Sequence, residues 1–197
     1  MTARRTLTTD RLQLLAPTPA LADAVSDYLR RNQAHLAPWE PPLPADHAEP
    51  AVLRRSLADA ALAFDGVLAL RWWLSPRDAP GRVVGSVHLS AIARGPFQSC
   101  HLGYALDAGC EGRGLMHEAL AAVVAEAFSP AVNLHRIQDA VRPENARSVA
   151  LLQRTGFRDE GLARDYLFIA GAWRDHRLFA RTNPGFAAPA HWGAGRG

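Results

Sequence analysis

The sequence predicts an α+β fold, a mixed α/β sandwich in which helices cover the faces of a mostly antiparallel sheet. Three strands between residues 67 and 106 follow one another through short turns, which is the pattern of an antiparallel meander. Residues 100–128 then read as a strand, a glycine turn and a helix, and a further strand follows at 136–141. Because strands joined by a helical crossover usually lie parallel, we expect one parallel pair within the sheet.

In the first half of the chain, prolines separate the elements. A strand at 11–16 ends before two prolines, and a helix follows at 20–31 with its apolar residues on one side. Five prolines within residues 35–50 forbid regular helix and favour an extended loop. A second helix at 51–64 leads into the meander.

The meander consists of strands at 67–74, 83–92 and 100–106, which are separated by turns rich in glycine and proline. The helix after the glycine turn ends at Phe128. Its apolar residues recur with the i, i+3, i+4, i+7 spacing of one helix face, at Leu120, Val123, Val124, Ala127 and Phe128.

The second half of the chain closes the sheet. After the strand at 136–141, a short helix is predicted at 146–155, with Gly156 as the residue that ends it. A strand begins at Phe157, and residues 166–182 read as a closing hairpin that turns at Ala170 and Gly171.

Composition indicates a single domain at 1–183 followed by a flexible tail at 184–197, because 197 residues with 48% hydrophobic content suffice for one full core. No apolar run approaches the roughly 18 residues of a membrane span. The two cysteines have neither disulfide nor metal spacing. We expect a cytoplasmic protein that binds no metal and no membrane. The arginines are scattered and the net charge is only +3, so no direct contact with nucleic acid is expected.

The chain contains no lysine, and all 22 of its basic residues are arginine. A P-loop needs a lysine after its glycines, so that phosphate site is excluded. Schiff-base and pyridoxal chemistry are excluded for the same reason, since both require a lysine amine. A dinucleotide-binding fingerprint would need a third glycine where His117 stands.

The turn Glu111-Gly112-Arg113-Gly114-Leu115-Met116 remains the strongest candidate for an anion site. Two glycines before a helix allow a tight turn and a close approach of a ligand. The first N–H groups of that helix have no intrahelical partner and carry partial positive charge, which suits a phosphate or pyrophosphate. An ordinary connection between a strand and a helix is the alternative.

These residues resemble the GNAT family of acetyl-CoA-dependent N-acetyltransferases. The glycine turn matches the family's Gln/Arg-x-x-Gly-x-Gly/Ala pyrophosphate turn in register, with Glu111 and Met116 as departures. A second match begins at Asn145 and Ser148 and ends at Gly156-Phe157. The resemblance implies the GNAT fold, in which two parallel strands splay apart and the acyl-CoA lies between them.

The resemblance narrows to the RimJ/RimL group of ribosomal-protein-alanine N-acetyltransferases, and to RimJ in particular. The matching segments cover most of residues 11–182, and they are Ala37 to Pro41, Leu102-Gly103-Tyr104, Gly112 to Met116, Ala163 to Leu167 and Trp173 to His176. The resemblance therefore implies acetyl transfer from acetyl-CoA to the N-terminal α-amine of a protein, namely a ribosomal protein that begins with alanine.

The family's binding residues can be carried onto this chain. The N–H groups of Gly112 to Met116 would hold the pyrophosphate, with a charge contact from Arg113. Glu111 belongs to the same site through its backbone, although its side chain places a negative charge beside the pyrophosphate. A backbone N–H near Leu106 would stabilise the oxyanion. Asn145 would bond the pantetheine arm, although it could instead cap the following helix.

Three residues are candidates for proton transfer. Ser148 would protonate the leaving thiolate, and Tyr104 is an alternative acid. Glu40, on the proline-rich loop beside Trp39, is the candidate base. A strong base is not needed, because an N-terminal amine has a pKa of about 8. Trp39 and Glu40 are also expected to contact the acceptor, together with Asp165, Tyr166 and His176.

Other functions remain open on the sequence alone. The acceptor could be a small amine, such as an antibiotic or a polyamine-like compound. The chain could also be a non-catalytic module that binds acyl-CoA, although its retention of Asn145 and Ser148 argues against this. A monomer and a homodimer are equally compatible with the sequence.

Overall fold

The computed structural model describes residues 6–192, which contain eight strands and four helices. The strands are β1 (Leu7–Thr8), β2 (Leu12–Leu15), β3 (Leu70–Pro76), β4 (Gly85–Ala93), β5 (Ser99–Leu106), β6 (Arg136–Val141), β7 (Arg158–Ile169) and β8 (Ala172–Thr182). The helices are α1 (Ala22–Leu36), α2 (Pro50–Asp65), α3 (Leu115–Phe128) and α4 (Ala146–Arg154).

All eight strands form one sheet in the order β1-β2-β3-β4-β5-β6-β8-β7. Every neighbouring pair is antiparallel except β5 and β6, which are parallel. The predicted meander is β3–β4–β5, the predicted parallel pair is β5–β6, and the closing hairpin is β7–β8. The predicted fold class is thereby confirmed.

Two elements differ from the prediction. Helix α1 continues to Leu36, five residues beyond the predicted end at Arg31, because Pro38 is the first proline in its path. Strand β7 is one long strand in place of two short ones. Irregularities in its pairing with β8 fall between Asp159 and Gly161 and between Ala163 and Leu167, and they account for the broken sequence pattern.

Helices cover both faces of the sheet. Trp72 and Trp73 are neighbours on β3, so their side chains point to opposite faces. Trp72 belongs to the larger buried cluster, which joins the sheet to α3 and α4. Trp73 belongs to the smaller cluster, which joins the sheet to α1 and the first half of α2. Below, these are the α3/α4 face and the α1/α2 face.

Strands β5 and β6 pair along only part of their length. The paired residues are Ser99 with Arg136, Cys100 with Ile137 and His101 with Gln138. No pairing continues beyond them, although β5 runs to Leu106 and β6 runs to Val141. The sheet therefore has an opening between the second halves of these two strands.

Buried polar contacts tie α1 to the end of β5. The Asp107 carboxylate accepts hydrogen bonds from Arg31 at 3.0 Å, from the amide nitrogen of Asn32 at 3.3 Å and from the Gly109 N–H at 2.9 Å. Asn32 also accepts from the Ala108 N–H at 3.0 Å. Burial by itself raises the pKa of the Asp107 carboxyl, but these hydrogen bonds outweigh it and hold the pKa below its ordinary value.

The segment after β8 packs against the domain as far as it is described. Asn183 is buried and donates to the Leu134 carbonyl at 3.0 Å. The Phe186 ring lies 5.3 Å from the His135 ring, centroid to centroid. Residues 193–197 of the expected tail lie outside the described residues, and the division into a domain at 1–183 and a tail stays a prediction. No helix within residues 6–192 has the length and apolar character needed to cross a membrane.

We expect Asp107→Asn to lower the free energy of unfolding by about 2 kcal/mol, because charge-assisted hydrogen bonds contribute roughly that much. Urea denaturation checks this, with Asp59→Asn on the exposed side of α2 as the control. Because folding lowers the pKa of Asp107, its contribution is present above the unfolded-state pKa and is lost as the pH falls through the folded-state pKa. The difference in the free energy of unfolding between Asp107→Asn and wild type should therefore become smaller at acid pH. An equal loss at all pH values would contradict this account.

Candidate active site

A cavity of about 1630 Å³ occupies the opening between β5 and β6. Its walls come from these two strands, from the glycine turn before α3, from the start of α4 and from the loop after α1. Because the opening passes between strands, it connects the two faces of the sheet. Two ligands could therefore meet in it from opposite sides.

The glycine turn forms one end of the cavity. Gly112 and Gly114 have φ angles of 74° and 76°, a left-handed conformation that favours glycine. The Glu118 N–H donates to the Gly114 carbonyl at 3.1 Å. The N–H groups of Leu115, Met116 and His117 precede this bond and have no carbonyl of α3 to bond. They form the donor set that an anionic pyrophosphate requires.

The two charged residues of the turn have partners elsewhere in the fold. The Glu111 carboxylate forms an ion pair with Arg147 and lies 3.5 Å from Nε2 of His35. Its negative charge is therefore directed toward α4 and α1. The Arg113 side chain does not line the cavity, and its carbonyl accepts a hydrogen bond from Arg11 at 2.8 Å.

The backbone of β5 presents hydrogen-bond donors to the opening. The Asp107 N–H donates to the Val84 carbonyl at 2.7 Å, on the side of β5 that faces β4. Successive N–H groups along a strand point to opposite edges, so the N–H groups of Leu106 and Tyr104 point toward β6. This places the Leu106 N–H, the candidate oxyanion donor, at the edge of the opening.

Asn145 and Ser148 line the cavity from the start of α4. The side-chain oxygen of Asn145 accepts a hydrogen bond from the Ser148 N–H at 3.2 Å, so Asn145 caps the helix. The cap occupies Oδ1 and fixes the orientation of the side chain in the cavity wall. The two roles considered for Asn145 are thus compatible, because its Nδ2 group can still donate to a ligand.

Tyr104 and Asp139 complete the side of the cavity that faces α3 and α4. The Tyr104 hydroxyl lies 3.5 Å from the Ser148 carbonyl oxygen. Burial, followed by the nearby Asp139 charge, raises the pKa of Tyr104 well above its usual range. Asp139 did not figure among the residues selected from the sequence. The sequence did contain a sign of its importance: in the alternating strand β6, this acid occupies the same face as the buried residues Ile137 and Val141.

Glu40 lies on the α1/α2 side of the cavity, as does Trp39, whose ring is 5.4 Å from the Arg142 guanidinium. Burial raises the pKa of Glu40, and the positive charge of Arg71 opposes that rise. Arg71 is itself packed over the Trp73 ring at 5.6 Å. The candidate base is thus partly withdrawn from solvent and lies near the positive charge of the half-buried Arg71.

His88 also faces this side of the cavity and was not identified from the sequence. It pairs in register with Gly103, and a Cβ atom at position 103 would lie 2.4 Å from the imidazole ring. The glycine therefore makes room for the ring. Burial, and secondarily Arg71, lowers the pKa of His88 to about 3, so the imidazole is neutral at neutral pH. Only the long-range pairing of β4 with β5 brings His88 to Gly103.

Three of the acceptor residues expected from the sequence lie outside the cavity lining. Asp165 is exposed at an irregularity in β7, and its N–H donates to the Asp175 carboxylate at 3.0 Å. The Tyr166 ring packs 5.4 Å from the ring of His176. His176 is only 2% exposed, and its Nδ1 is 2.9 Å from the Arg174 carbonyl oxygen. Leu167 is the residue of this segment that does reach the cavity.

The residues present fit an acyl-CoA. The glycine turn supplies donors for a pyrophosphate, the unpaired edge of β5 supplies donors for a pantetheine arm, and the cavity between them is continuous. Within residues 6–192, no group of three or more His, Cys, Asp or Glu side chains is arranged to hold a metal ion.

Comparison with known proteins identifies the family. The family model described as an acetyltransferase (GNAT) domain matches residues 11–158. The [ribosomal protein uS5]-alanine N-acetyltransferase of Escherichia coli strain K12 is 37% identical over 178 residues, which are 90% of this chain and 91% of that protein.

Solved structures agree with the sequence match. Ribosomal-protein-S5-alanine acetyltransferase from Vibrio fischeri superposes with a TM-score of 0.89 and 32% identity, over 93% of this chain and 100% of that one. RimJ from Mycobacterium smegmatis, in complex with CoA-disulfide, gives a TM-score of 0.80 and 33% identity, over 87% of this chain and 81% of that one. By sequence and by fold, this chain belongs to the GNAT family of acetyltransferases, whose co-substrate is acetyl-CoA.

Proposed function

We propose that this enzyme transfers the acetyl group of acetyl-CoA to the N-terminal α-amine of a protein that begins with alanine, and that the protein is ribosomal. The observation that carries the proposal is the opening through the sheet, which has the N–H donors of the glycine turn on one side and Glu40 on the other. The alanine and the ribosomal acceptor rest on the names of the relatives from Escherichia coli and Vibrio fischeri. A ribosomal acceptor also favours a cytoplasmic location.

The donor side would use the backbone for binding. The N–H groups of Gly112 to Met116 would hold the pyrophosphate, and Nδ2 of Asn145 would donate to the pantetheine arm. The Leu106 N–H, which points into the opening, would stabilise negative charge on the acetyl oxygen. Acetyl-CoA would supply the activated acetyl group as a thioester.

The acceptor side would select and deprotonate the amine. A free N-terminal amine has a pKa of about 8, so a sizeable fraction is neutral before it binds. The Glu40 carboxylate would remove the remaining proton, directly or through one water. The neutral His88 ring beside Gly103 would line the acceptor side and offer a hydrogen-bonding group to the substrate. The positive charge of Arg71 would disfavour a polycationic acceptor.

A turnover assay that reads free thiol release tests this function. We expect acetyl transfer to peptides that begin with alanine and little transfer to polyamines or aminoglycosides. Ser148→Ala and Asn145→Ala should each lower kcat/KM, by about 10²-fold for the loss of one group that takes part in proton transfer or of one positioning contact. Wild-type turnover restricted to small amines would refute the protein acceptor. Tight binding of acetyl-CoA without turnover on any acceptor would refute the catalytic assignments.

The role of Glu40 predicts a pH dependence. A base must be unprotonated, so kcat/KM should rise with pH through the raised pKa of the Glu40 carboxyl. Glu40→Gln should remove this rise and lower the rate by about 10²-fold. The matched control is Glu49→Gln, which loses only a surface ion pair with Arg30. An unchanged pH profile in Glu40→Gln would assign the base elsewhere.

Gly103→Ala tests the role of the His88 ring on the acceptor side. The new Cβ would lie 2.4 Å from one ring atom of His88, so the ring must move. We expect kcat/KM for the peptide to fall by about 10²-fold, as misplaced contacts do, while the KM for acetyl-CoA changes little. Gly185→Ala, whose Cβ would make only an ordinary contact at 3.6 Å, is the control. Equal losses for both substrates would show that the substitution disturbs the whole cavity.

A further inference from the structure

Asp139 is a buried acid that the proposed chemistry has not used. It is only 8% exposed and lines the cavity. Its Oδ1 accepts a hydrogen bond from the adjacent Ala140 N–H at 2.7 Å. Its Oδ2 is buried and has no hydrogen-bond partner among the described residues. A buried carboxyl oxygen without a partner is costly unless it carries a proton or faces a ligand.

Its place in the fold puts Asp139 at the apex of the opening. Gln138 is the last residue of β6 that pairs with β5, so Asp139 is the first residue beyond the point where β5 and β6 separate. Its side chain points to the same face of β6 as those of Ile137 and Val141, which belong to the cluster on the α3/α4 face. Tyr104, across the opening, packs against that same cluster.

This is the face from which the acetyl donor would enter. The glycine turn leads directly into α3, and Ser148 lies on α4, so both belong to the α3/α4 side. Glu40, in contrast, lies near Arg71 on the other side. Asp139 and Glu40, two of the acids that line the cavity, are therefore separated by the sheet, one on the donor side and one on the acceptor side.

The leaving thiolate needs a proton, and the other donor-side groups supply it poorly. The pKa of the Tyr104 hydroxyl is raised well above its usual range, so it holds its proton firmly. A serine hydroxyl such as that of Ser148 can pass a proton on only if another group replaces it. The raised pKa of Asp139, about 7 because of burial, leaves a substantial fraction protonated at neutral pH.

We propose that Asp139 is the acid that protonates the departing thiolate of coenzyme A, a role that rests on the acetyl transfer proposed above. The amine nitrogen forms its bond to the acetyl carbon, and its surplus proton goes to Glu40. The carbon–sulfur bond breaks, and Asp139 gives the proton on Oδ2 to the sulfur, directly or through the Tyr104 and Ser148 hydroxyls. The products are the acetylated amine and the free thiol. Asp139 regains a proton and Glu40 loses one through solvent.

A comparison of leaving groups tests the acid role. Asp139→Asn should lower kcat with acetyl-CoA on the order of 10²-fold. With an aryl thioester whose thiol has a pKa well below 7, no proton is needed, so the two enzymes should differ less than about threefold. Asp59→Asn serves as the control for both donors. Equal losses with both donors, or no loss with acetyl-CoA, would overturn the proposal.

A second measurement needs no acceptor. Ultraviolet absorption of the thiolate reports the pKa of the thiol in bound coenzyme A. If the Asp139 carboxylate faces the sulfur, its charge should raise that pKa by about one unit in wild type relative to Asp139→Asn. Identical thiol pKa values in the two proteins would remove Asp139 from the sulfur. Since the measurement uses coenzyme A alone, an error in the proposed acceptor leaves its result unaffected.

Thermal unfolding distinguishes these effects from a folding defect. Folding raises the pKa of Asp139, so the folded state loses stability as the pH rises from the unfolded-state pKa, about 4, through about 7. Asp139→Asn should therefore have a higher Tm than wild type at pH 8 and a similar Tm at low pH. A lower Tm for Asp139→Asn at every pH would show that the carboxylate is a structural acceptor and not a proton reservoir.

Discussion

The early end of the pairing between β5 and β6 is the constraint on which the rest of the site depends. Three residue pairs hold the strands together, and beyond them each strand continues without its neighbour. In a continuous sheet, the β5 N–H groups would be bonded to β6 and the two faces would be separate. Because the strands part, these N–H groups are free of β6 and can bond a ligand, and the cavity connects the two faces of the sheet. Donor and acceptor can then approach one point from opposite sides.

Charged contacts hold the glycine turn in position at this opening. Asp107 joins the end of β5 to α1 through Arg31, Glu118 joins α3 to Arg11 just before β2, and Glu111 joins the turn to α4 through Arg147. All the cations are arginines because the chain has no lysine. The planar guanidinium allows one residue to hold two partners: Arg11 bonds the Glu118 carboxylate and the Arg113 carbonyl. Glu111, a departure from the family's turn, thus gains a structural role.

The two faces of the opening differ in their electrostatics. On both sides burial is the main cause of the pKa shifts, since it raises the pKa values of Glu40, Asp139 and Tyr104 and lowers that of His88. On the α1/α2 side, the positive charge of Arg71 opposes the rise at Glu40, whereas at Asp139 it is the hydrogen bond from the Ala140 N–H that opposes burial. The acetyl transfer proposed above would remove a proton on one side and deliver one on the other. Because a cation favours the charged form of Glu40, the two carboxyls would serve as a base and an acid within one cavity.

The sequence by itself determined the features whose signals are local. Strand β6, the glycine turn and the capped start of α4 at Asn145 depend on periodicity, backbone freedom and a single side-chain bond, all within a few residues. Asp139 also carried a local signal, because it is an acid on the buried face of an alternating strand. Its place in the cavity, however, depends on the end of the β5–β6 pairing at Gln138. Tertiary structure alone decided which side chains share the cavity. His88 reaches it because β4 pairs with β5, whereas His176 is buried opposite Ala163 in the β7–β8 hairpin and lies outside the lining. Such long-range pairing leaves no trace in local spacing.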